Sequence, residues 1–278
     1  MRITRHLSIL LLACGLVSTA VVAGTALVKQ DLITKSGMER QIKEIPASIQ
    51  LGIEQARQQG VPIDSRLAQA WAQSVPLAFS TDKMLVIVDK GLQKMLTPED
   101  DRLLLAHYNS PLGRKITELE VKGSRPEAAA EVEAYAQKLM ANPSAFASRL
   151  ALYQEIDKAV GGTTMAVELA MAMQVAVQVG MVSAMHGPKD LNIPAMKAAV
   201  EKTKFALTQQ MASSILANFA YIYRDLSTKE LTAYLAFLNT TAGKKFNAGA
   251  ARLLSEALAM QTEDLGRRLT QNLNGKGI

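Results

Sequence analysis

The sequence predicts an all-α protein, a helical bundle built from two tandem, related helical repeats. Three observations predict it. The composition favours helix, because aromatic residues make up only 5% of the 278 while Ala, Leu, Met, Gln, Lys and Glu dominate. Apolar residues recur at three- and four-residue spacing instead of alternating. Capping residues, glycine and proline punctuate these runs in matching order in the two halves, the mark of an internal repeat. With 49% hydrophobic residues, the chain can bury a sizeable core.

From the N-terminus, residues 1–23 read as a signal peptide. Arg2 and Arg5 form a positive start, an apolar run begins at Leu7, and Val21-Val22-Ala23 ends it ahead of a cleavage point before Gly24. Two alternatives compete. Leu11-Leu12-Ala13-Cys14-Gly15 loosely follows a lipobox, which would make a lipoprotein at Cys14, and residues 7–28 carry no charge, which would suit an inner-membrane anchor. The bulky Leu12 and the apolar run beyond Cys14 weigh against lipidation, and the many Ser, Thr, Gly and Ala residues weigh against a durable span. All three place the rest of the chain outside the cytoplasm, so an exported, periplasmic protein is expected.

Cleavage would remove Arg2 and Arg5 and lower the formal charge from +6 to +4 (6 − 2 = 4). That balance is too mild for nucleic acid, and no block of five Lys or Arg occurs. Cys14, the only cysteine, would leave with the signal, so the mature fold is expected to be held by packing alone.

Residues 24–150 form the first expected repeat and 151–278 the second. Thr97 is a good N-cap with Pro98 in the first turn, and Ser227 with Glu230 makes a capping box. Apolar stripes follow through Leu104, Leu105 and Tyr108, and through Leu231, Tyr234, Leu235 and Leu238. Asn109 and Asn239 suit helix ends, Ser110-Pro111 and Thr240 suit the next helix start, and Gly113 and Gly243 would let two backbones approach. The register is constant, 243 − 113 = 239 − 109 = 130. Gln30-Asp31-Leu32 with Gly37 is echoed by Gln154-Glu155-Ile156 with Gly161 at 154 − 30 = 124. Breakers at Lys122 to Pro126, Asn142-Pro143-Ser144, His186-Gly187-Pro188 and Asn192-Ile193-Pro194 divide the remainder into roughly four or five helices per repeat.

These blocks resemble a bacterial family of exported proteins, the domain of unknown function 2059 family (DUF2059), here as two tandem copies. The resemblance rests on the Leu-[Ser/Thr] helix start, the aromatic or apolar helix end, and the turn formed by Ser110, Pro111, Gly113, Arg114 and Lys115. In the second copy Thr240 and Thr241 replace Ser110 and Pro111, so a looser elbow is expected there. The resemblance covers about twenty residues per half. It implies an envelope location and a helical fold, and it names no catalytic residue.

Signals for enzyme chemistry are scarce. Beyond the signal the histidines are His107 and His186, and no nucleophile elbow, zinc-protease motif or phosphate loop occurs. His107 aligns with Phe237 at the same offset, which favours a packing site that tolerates a ring. Met165, Met171, Met173, Met181 and Met185, followed by His186, could offer soft ligands to copper, yet Met171 and Met173 cannot face the same way and methionine commonly fills helical cores. No metal and no cofactor are therefore expected. Arg114, Lys115, Lys244 and Lys245 are weak candidates for contact with an anion or a partner, because they sit in the first turn of a helix. Solvated charges flanking a glycine elbow explain them as well.

The expectation is thus a binding or structural module, its partner an envelope protein or polymer, with peripheral or N-terminal membrane association as an option. The alternative is a periplasmic hydrolase with a carboxylate-only site. A carboxylate pair in a cleft would favour the enzyme, and an apolar groove without ionisable groups would favour the binding module.

Overall fold

The computed structural model describes residues 29–273 except 59, 61–62, 124, 126–127 and 187–190. The expected signal segment 1–23, with Cys14 and the alternative anchor 7–28, lies outside the described residues. Among those described there are thirteen helices and no strand. They are α1 (Gln30–Lys35), α2 (Met38–Gln58), α3 (Ser65–Ala78), α4 (Thr81–Met95), α5 (Pro98–Tyr108), α6 (Pro111–Gly123), α7 (Ala129–Ala141), α8 (Pro143–Val160), α9 (Gly162–His186), α10 (Ile193–Glu201), α11 (Lys204–Ile222), α12 (Thr228–Leu238) and α13 (Thr241–Leu273). The chain is more finely divided than four or five helices per half, because residues such as Gly37 and Ser80 also end or start helices.

The punctuation acts by ordinary capping chemistry. Asp64 accepts the amide of Leu67 at 2.7 Å and starts α3. Thr97 and Asp100 exchange side-chain and backbone bonds at the start of α5, and Ser227 and Glu230 do the same at α12. At both elbows an asparagine is the C-cap, with φ −84° at Asn109 and at Asn239. The Ser110 hydroxyl then accepts the amide of Gly113 at 3.0 Å, and the Thr240 hydroxyl accepts that of Gly243 at 3.0 Å. The second elbow is therefore no looser than the first, since a threonine hydroxyl caps as the serine does. A Cβ on Gly113 would collide with the carbonyl oxygen of His107, and one on Gly243 with that of Phe237, which is why glycine stands at both places.

The halves share their cores. Leu32, Met84, Leu92 and Leu104 pack with Phe246 and Leu253 of α13. Farther along α13, Leu258, Leu265 and Leu269 pack with Trp71, Phe79 and Ala176. α13 thus runs as a spine against α3, α4 and α9. A third cluster joins Ile116 of α6 to Tyr153, Ile156, Tyr223 and Tyr234. Residue 150, the expected repeat boundary, lies within α8, where no breaker interrupts the helix. No single described helix is long and apolar enough to cross a membrane.

The methionine-rich helix α9 is used for packing. Met173 and Met181 lie against the cluster around Trp71, whereas Met171 lies against a separate cluster of Val175, Val179 and Val200. The side chains of Met185 and His186 lie outside the described residues. Glu168 on the same helix meets Lys204 at 3.4 Å.

Candidate functional site

The elbows bring four helix ends together, and a cavity of about 260 Å³ opens beside them. α6 supplies Glu120. The stripe that directs α6 inward runs through Leu112 and Ile116, and Glu120 follows at the next step of four residues, so the carboxyl is carried to the buried side. Tyr108 ends α5, Tyr223 is the C-cap of α11, Tyr234 lies on α12, and Asn247 and Phe246 lie on α13. All of these line the cavity.

The Tyr223 hydroxyl donates to Glu120 Oε1 at 2.6 Å and the Tyr234 hydroxyl donates to the same oxygen at 3.0 Å. Among the described residues, Glu120 Oε2 and the Tyr108 hydroxyl have no hydrogen-bond partner, and Asn247 Nδ2 is a donor without one, buried away from the cavity. Burial pushes the Glu120 carboxyl above the usual carboxylate range, against the two tyrosine bonds that pull it down. Burial first, and the nearby Glu120 carboxyl second, push Tyr108, Tyr223 and Tyr234 above the usual phenol range. The hydroxyls therefore stay protonated and serve as donors.

The cluster is clamped from behind. Arg149 of α8 donates to the carbonyl of Tyr223 at 2.8 Å, to that of Leu226 at 2.9 Å and to the hydroxyl of Tyr153 at 3.0 Å. The two bonds to the Tyr223 and Leu226 carbonyls fix the turn between α11 and α12, and hence the spacing of Tyr223 and Tyr234. Rings enclose the space: Tyr108 and Phe246 lie with centroids 6.0 Å apart, and Phe219 and Tyr223 with centroids 5.3 Å apart.

The cations singled out from sequence have a different use. Lys115 Nζ meets Glu230 Oε1 at 2.7 Å, and Lys245 Nζ meets Asp100 Oδ2 at 2.9 Å. The guanidinium of Arg114 donates to the carbonyl of Asn109, and Lys244 is exposed. Lys115 and Lys245 therefore tie each elbow to the capping acid of the other segment. Glu120, Tyr223 and Asn247 were missed by sequence reasoning. The available signal was an acid at a core position of the α6 stripe, but in the run Thr117-Glu118-Leu119-Glu120 it looks like one more solvated charge. Among the described residues, no three His, Cys, Asp or Glu side chains converge as a metal centre requires.

Fold and site together define an all-α protein with a ring-lined cavity and, among its described lining residues, one carboxyl. Comparison of the chain with family models, curated proteins and solved structures gave no match.

Proposed function

We propose that this is an exported cell-envelope protein that works as a binding module, and that the cavity around Glu120 is its binding site. The N-terminal signal pattern and the DUF2059 resemblance support the location. The observation that carries the binding reading is the free polar edge of the cavity, where Glu120 Oε2 and the Tyr108 hydroxyl have no hydrogen-bond partner among the described residues. Buried polar groups are ordinarily satisfied, and groups left open at a cavity wall are what a ligand would satisfy. We also read the two helix, elbow and helix segments as copies of one unit, on their matching caps and their constant offset. In this cavity Glu120 is the one acid among the described lining residues, so it lacks the pair that a carboxylate-only hydrolase uses.

Ligand-observed NMR of a fragment library against the purified protein tests the binding reading. Fragments should bind the wild type and be lost from an Ala251→Phe variant that fills the cavity yet keeps its helical circular dichroism. An absence of hits, or hits that survive the filled cavity, refutes it. A phosphatase reporter fused after Ile278 should be active outside the cytoplasm, and activity confined to the cytoplasm refutes export.

A further inference from the structure

We infer that the cavity selects a small organic amine, bound as its ammonium cation. This rests on the binding reading above and names the ligand class. Charge decides it. The described lining includes one acid, Glu120, and no Lys, Arg or His, so an anion would meet a carboxyl with nothing to balance it. A cation finds the reverse: Glu120 Oε2 and the oxygen of Tyr108 are both open as acceptors for N–H donors.

The rings add to this. Phe219, Tyr234 and Phe246 line the same space, and aromatic rings attract a cation. Size is set by the volume, about 260 Å³, which is below the roughly 300–1,000 Å³ of sites for drug-sized ligands.

Three probes of equal length separate charge from shape: 5-aminopentan-1-ol, pentane-1,5-diol and 5-hydroxypentanoate, titrated calorimetrically into the purified protein at pH 8. The amine should bind at least about tenfold more tightly than the diol, as expected for a gain of about 1.4 kcal/mol or more, and the carboxylate should not bind. Glu120→Gln should bring the amine down to the level of the diol and leave the diol unchanged. Equal binding of amine and diol to the wild type overturns the inference, as does retention of full amine affinity by Glu120→Gln. If fragments bind the cavity but none of the three probes does, the ligand class falls and the binding reading stands. If neither fragments nor probes bind, both fall. The wild-type comparison decides the matter even where Glu120→Gln fails to fold.

Discussion

The imidazole of His107 lies flat on the ring of Phe237, with centroids 3.4 Å apart and planes 3° apart, and the two positions are 237 − 107 = 130 residues apart. The same offset relates Lys115 to Lys245 and Asp100 to Glu230, and each lysine pairs with the acid of the other segment. The two segments therefore face one another reciprocally, with the two rings at the centre and an ion pair on either side. Glu120 and Ala250, again 130 apart, both line the cavity beside this contact.

His107 contributes a ring, and its imidazole chemistry is a liability. Its Nε2 is buried without a partner, and burial lowers its pKa from 6.5 to about 4. The unfolded chain takes up the proton first as the pH falls, so stability is lost between about pH 6.5 and 4. His107→Phe should remove that loss and raise stability by about 1 kcal/mol, the low end of the cost of an unsatisfied buried group. Thermal melts of both proteins between pH 7.5 and 4 check this, and an unchanged pH profile counts against it.

The reciprocal ion pairs predict a second, more acidic window. The Lys245 ammonium and the Thr97 cap hold Asp100 down at about 2, and the Lys115 ammonium and the Ser227 cap hold Glu230 down at about 2. A lowered carboxyl stabilises the fold above its ordinary value and loses that contribution as the pH falls through the lowered one. A Lys115→Met, Lys245→Met double variant should therefore be less stable at pH 7 and vary less between pH 4.5 and 2, with the two proteins converging at the acid end. Parallel curves would show that the pairs contribute nothing.

At the elbow, Gly113→Val places side-chain atoms against the His107 carbonyl. The cost should be on the order of 1–3 kcal/mol, as in an overfilled core. Urea denaturation measures it, and an unchanged midpoint would show that the close approach is not needed.

Glu120 should be costly to the fold. A carboxyl whose pKa burial raises destabilises the folded state progressively as the pH rises above its ordinary range, because the unfolded chain ionises first. Glu120→Gln keeps an acceptor for Tyr223 and Tyr234 and has no charge to bury. It should melt at a higher temperature than the wild type at pH 8, with the difference shrinking toward pH 4, while losing amine binding. A lower melting temperature at pH 8 would mean that the ionised carboxyl is well accommodated, as a purely structural group would be.

The sequence by itself determined that the chain is helical and where the helices around the two elbows begin and end. Thr97, Pro98, Ser110, Ser227 and Thr240 act on backbone groups within about one helical turn, so their effect is local and can be read one residue at a time. It also marked His107 and Phe237 as equivalent positions, through their common offset. Only the tertiary structure decided that these two rings meet each other, that Lys115 and Lys245 exchange partners between segments, and that α13 closes both halves into shared cores. Glu120 shows why. Its polarity argued for solvent, and what overrides that is a pair of hydroxyls lying 103 and 114 residues later in the chain. Burial of a charge-bearing group is decided by which distant donors the packing delivers, and stripe spacing along one helix carries no information about them.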